Sequence, residues 1–153
     1  MDFTIFLTSS VVGGLVAGFV ALRNSERKIQ IENVTQERAK WREKIRAKSN
    51  EVHRSAVVSD APKLFELLLE FSLNLNPFDP EDGAILTVIK ELNVSDGREA
   101  KLAEFAERIA LLLKHDWERA KHEAKPWFFR CCKPERTTYG EFKSRCTRTL
   151  EKR

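Results

Sequence analysis

The sequence offers no Gly-rich phosphate loop, no G-x-S-x-G elbow, no HExxH pair and no set of ligands at metal-binding spacing. Those absences remove the common ways in which a short chain cradles a nucleotide, activates a serine or holds zinc. Histidine is scarce: His53, His115 and His122 are the complete set, and each lies in a helically patterned stretch with charged neighbours. Cysteine is equally sparse. Cys131 and Cys132 are adjacent, without the spacing of a zinc ribbon or a redox CxxC, and Cys146 stands apart. The three are expected as reduced thiols in a cytosolic part of the chain. The acids Asp79, Glu81 and Asp82 do not follow the alternating ladder and closing Glu of a calcium loop, and a helix cap accounts for them better. The chain is therefore expected to be no enzyme and to need neither metal nor cofactor.

Lysine and arginine are missing altogether before Arg23. In their place residues 3–22 form an uncharged stretch of 20 residues, which as a helix reaches roughly 30 Å, the thickness of a bilayer's hydrocarbon core. A secretory signal would begin with positive charge and carry a shorter apolar region. A buried core helix would normally show a polar stripe, whereas Thr4, Thr8, Ser9 and Ser10 are the only hydroxyls here. The stretch is read as a single transmembrane helix. Since cations follow it and none precede it, the expected topology is single-pass in the cell inner membrane, N-terminus outside and C-terminal domain cytoplasmic. Ser10, Gly14 and Gly18 repeat at four-residue spacing beside Gly13, Ala17 and Ala21. Such small faces let helices approach closely in lipid, so a homo-oligomer through the span is expected.

Beyond the span the charge runs in three blocks: 10 Lys/Arg against 5 Asp/Glu over 23–55, 5 against 11 over 56–113, and 12 against 6 over 114–153. Arg23, Arg27 and Lys28 suit an anionic inner leaflet, making the lipid bilayer the first partner. No nucleic-acid motif accompanies the basic runs, so nucleic acid is not expected as a partner.

Four segments follow. Residues 23–58 read as a basic juxtamembrane helix, interrupted or capped near Asn33 and Thr35, whose thin seam of Val34, Trp41, Ile45 and Val52 needs a partner to pack on. Residues 59–125 read as the helical core. Its first helix, capped by Ser59 or Asp60 with Pro62 in the first turn, carries Leu64, Phe65, Leu67, Leu68, Leu69, Phe71, Leu73 and Leu75 on nearly every side. A second starts at Asp79 and Pro80 and forms a short amphipathic helix through Ala84, Ile85, Val88, Ile89 and Leu92, ending near Asn93. A third, capped by Ser95 or Asp96, aligns Leu102, Ala106, Ile109, Leu113 and Trp117 on one face. The fold class is all-α: a bundle of about four helices in which two long ones pair antiparallel, with Trp41 and Trp117 each covering the other's seam and the two shorter helices capping one end. Residues 126–153 form a basic aromatic tail. Trp127, Phe128, Phe129 and Arg130 suit either the membrane headgroup boundary or the closing of the core. Tyr139, Phe142, Cys146 and Leu150 either make a last amphipathic turn or stay loose.

The stretches VTQERAKWREKIR and IALLLKHDWERAKHEA resemble a group of small bacterial and phage single-span membrane-anchored helical proteins that carry an ER-x-x-W-R helix and a W-E-R-x-K helix. That resemblance implies an inner-membrane bacterial or viral protein and no particular activity. Two functions fit: a membrane-tethered binding or scaffold module whose helical domain docks a protein partner, or a membrane-perturbing effector of phage or anti-phage type. The first is preferred because the span lacks the polar lining that a conducting pore requires.

Overall fold

In the computed structural model the described backbone covers residues 3–93, 97–125 and 132–150, and side chains are described for these except 3–11, Arg27, Gln30, Ile31 and Leu150. The described residues form five α-helices and no strand: α1 (Phe3–Val57), α2 (Ala61–Asn74), α3 (Pro80–Glu91), α4 (Arg98–Ala124) and α5 (Tyr139–Leu150). The all-α expectation holds. The chain divides into two compact units, Met1–Ala39 and Lys40–Arg153.

In the first unit, α1 runs without a break. The interruption expected at Asn33 and Thr35 is absent, because neither Gly nor Pro occurs between residues 23 and 57 and a mid-helix Asn or Thr costs well under about 1 kcal/mol. The expected transmembrane helix needs correction against a second finding: among the described residues, no helix is long and apolar enough to cross a membrane. Any long window of α1 that begins after residue 11 takes in Arg23, Glu26, Arg27 and Lys28, and the side chains of 3–11 lie outside the described residues. From 12 to 26 every side chain is exposed, apolar ones included.

The second unit is built on a core contributed by four helices. Ile45, Val52 and Ala56 of α1 meet Leu64, Leu67 and Phe71 of α2, Ile85, Val88 and Ile89 of α3, and Phe105, Ile109 and Leu112 of α4. Phe71 and Phe105 pack edge to face with centroids 5.9 Å apart. The shorter helices do not cap one end of a long pair, as expected. They supply much of the core, since α2 and α3 carry apolar residues at three- and four-residue spacing and are joined by a short linker that keeps them adjacent. Two predicted caps are realised: Asp60 accepts from the Lys63 N–H at 3.0 Å and Asp79 from the Glu81 N–H at 2.9 Å. Helix α4 instead begins after Gly97, whose φ of +74° is open to glycine; Ser95 and Asp96 lie outside the described residues. The turn between α1 and α2 uses a left-handed Ser59, φ +58°, whose hydroxyl accepts from Arg98 at 2.7 Å.

Candidate interaction surface

Helix α2 has two apolar stripes, and the unit buries one of them. Leu64, Leu67, Phe71 and Leu75 recur at spacings of three and four and face the core. Phe65, Leu69 and Leu73 recur at four-residue spacing on another side and remain 69%, 58% and 78% exposed. Beyond the helix, Phe78 is 93% exposed; its N–H donates to the Asn76 side-chain oxygen at 3.1 Å, which fixes the turn that presents it. Single exposed apolar residues are ordinary, but large ones on one helical stripe mark a surface for another molecule.

The rest of α2's surface is acidic and internally paired. Lys63 bridges Glu66 at 2.7 Å, and Lys48 of α1 reaches Glu51 at 3.0 Å and Glu70 at 3.1 Å. Those side-chain bonds raise the Lys48 ammonium above its ordinary range, Glu51 contributing first and Glu70 next. The linker after α2 is clamped from the far end of the chain. Asp82, buried at the start of α3, accepts the Asn76 N–H at 2.8 Å, while Arg136 bridges Asp79 at 2.6 Å and Asp82 at 2.7 Å. Burial pushes the Asp79 carboxyl up, but the Arg136 bond and charge outweigh it, and the net shift is downward. Helix α5 docks on α4 beside this clamp: the Tyr139 hydroxyl donates to Glu107 at 2.7 Å, and the Arg108 guanidinium lies 4.1 Å from the Tyr139 ring centre.

Trp41 anchors α1 to the end of α2, its indole N–H donating to the Asn74 carbonyl at 3.2 Å. Trp117 is half exposed, with Arg42 and Lys121 each 5.5 Å from its ring centroid. Arg42 itself is buried and bonded to Asp116 at 2.9 Å. Of the small-residue face, a Cβ built at Gly13, Gly14 or Gly18 would meet nothing within 4 Å, Ala17 and Ala21 are exposed, and the Ser10 side chain lies outside the described residues. Arg23 stands 5.7 Å over the Phe19 ring and Lys28 reaches Glu32 at 3.9 Å, while the Arg27 side chain lies outside the described residues. Trp127, Phe128, Phe129, Arg130 and Cys131 also lie outside them; Cys132 and Cys146 are exposed free thiols. Among the described residues no group of His, Cys, Asp and Glu is placed to hold a metal ion. The α2 outer stripe was present in the sequence as a second four-residue repeat, hidden by the first. No protein-family model, curated protein or solved structure matches the chain.

Proposed function

We propose that the chain is a membrane-tethered binding or scaffold module. In this reading residues 3–22 hold it in the inner membrane with the N-terminus outside, the unit Lys40–Arg153 stands in the cytoplasm, and the outer stripe of α2 docks a protein partner. The observation that carries the reading is that stripe: Phe65, Leu69 and Leu73 are left in water by a helix whose other face is fully used. A helix apolar on every side gains stability only inside a core or in lipid, and the exposed apolar residues between 12 and 22 support the tether. The cations that follow residues 3–22, starting with Arg23, Arg27 and Lys28, support the orientation, and the open face of Gly13, Gly14 and Gly18 supports self-association in the bilayer. The chain binds and does no chemistry.

Affinity purification of the full chain in mild detergent tests this, with Leu69→Asp/Leu73→Asp alongside. A specific partner should be captured by the parent and lost from the variant, while both keep the same helical melting profile. Retention of every captured protein by a folded variant would remove α2 as the docking face. Separately, alkaline phosphatase fused after Arg153 should be inactive; activity there would overturn the orientation.

A further inference from the structure

We infer that a second copy of this chain packs into the groove between α1 and α4, with the two α4 helices antiparallel about a two-fold axis. The inference goes beyond the docking role of α2 and uses a different surface. The groove, about 390 Å³, has an apolar floor of Leu102, Phe105, Ile109 and Leu113 from α4 and an edge formed by Arg46 and His53 of α1. It follows the helix axes and stays open along its side, the shape that accepts another helix. The wall beside the floor is low: Ala103, Ala106 and Ala110 are all exposed, and a methyl group lets a neighbouring backbone come close.

Charge selects which helix enters. Along the exposed side of α4, Glu99 stands four residues before Ala103 and Lys114 stands four residues after Ala110. Turned end for end, this pattern maps onto itself with opposite sign: Ala103 of one copy lies opposite Ala110 of the other, and Glu99 opposite Lys114, twice by symmetry. Because Arg42 pairs with Asp116 at one end and Ser59, just after α1, accepts from Arg98 at the other, α1 runs antiparallel to α4, and Arg46 comes level with Leu113 beside Lys114. That end of the groove carries two exposed cations, Arg46 and Lys114, for which no acid partner is found among the described residues. The second copy's Glu99 supplies one. Antiparallel packing also sets each α4 N-terminus against the other's C-terminus, which favours the pair further.

The test uses full-length chain in mild detergent with Cys131, Cys132 and Cys146 replaced by Ser. Ala106→Cys, which falls next to the two-fold axis, should form a disulfide-linked dimer on oxidation with copper–phenanthroline, whereas Lys90→Cys on exposed α3 should not. Mixing Ala103→Cys with Ala110→Cys should give a linked heterodimer that neither gives alone. Glu99→Lys or Lys114→Glu should each lower the Ala106→Cys yield about tenfold, the equivalent of ~1.4 kcal/mol over the two symmetry-related pairs. Glu99→Lys/Lys114→Glu together should restore it. Absence of both cross-links in chains with unchanged helical content would overturn the inference, and so would a double reversal that fails to restore the yield. Neither readout depends on a captured partner or on the orientation in the membrane, so each reading fails by its own test.

Discussion

Arg42 and Asp116 face each other at 2.9 Å with both side chains mostly out of water, and removing the carboxylate takes the acid partner from the buried guanidinium. Asp116→Asn should lower stability by about 2–3 kcal/mol, less than for a fully buried pair because both groups keep some hydration. Arg42→Met/Asp116→Leu should recover most of that loss in a thermal melt followed by circular dichroism. His115 gives a second, pH-dependent outcome. Burial holds its imidazole below the ordinary histidine range, with Arg136 and Arg119 adding repulsion and Asp79 and Asp116 partly opposing it. The unfolded chain therefore takes up a proton first, and stability should rise with pH through the window ending near about 6.5 and fall on acidification below it. His115→Gln should flatten that part of the profile. It should leave the loss at lower pH, where Glu107, held down by bonds from Lys143 and Tyr139, and Asp79 take up protons. At this scale the sequence was partly legible. Trp41 could be read as a docking anchor from its place on a thin apolar seam. The burial of its neighbour Arg42 could not, because it depends on an acid 74 residues away.

Within single elements, periodicity and capping chemistry carried most of the information. The starts of α2 and α3 follow from Asp60 with Pro62 and from Asp79 with Pro80, local patterns that need no tertiary knowledge. Helix α2 shows where local reading stops. Its leucines and phenylalanines line nearly the whole circumference, and only the positions of α3 and α4 decide which stripe is covered. Two truncations separate the stripes. Leu67→Ala opens a cavity in the core and should cost about 3 kcal/mol, whereas Leu69→Ala should change the melting free energy by less than about 0.5 kcal/mol. Equal losses would mean that the outer stripe is covered in the folded chain. Helix α5 was the least legible element, because Tyr139 is tied down by Glu107 and Arg108 of α4 and its own short pattern gives no sign of that partner.

For the molecule as a whole, the all-α class and the order of α2, α3 and α4 were legible because each of these helices has its own apolar period and is set off from the next by Pro, Gly or a capping acid. The packing of the second unit was less so: sequence suggested a dominant pair of long helices, whereas α2 and α3 fill much of its core. What the sequence concealed most completely is the return of the tail, in which Arg136 reaches back past α4 and α3 to Asp79 and Asp82. That return has a consequence for the order of folding. The contacts of α2 with α3 and of α3 with α4 join neighbours along the chain and close short loops, so they form early. The Arg136 contact closes a loop containing all of α3 and α4, and the entropy of that closure is recovered only once the helices between are in place. The clamp should then be absent from the transition state. Arg136→Gln should leave the refolding rate nearly unchanged and raise the unfolding rate by the full loss in stability, so that the clamp acts as a latch on the lifetime of the folded state.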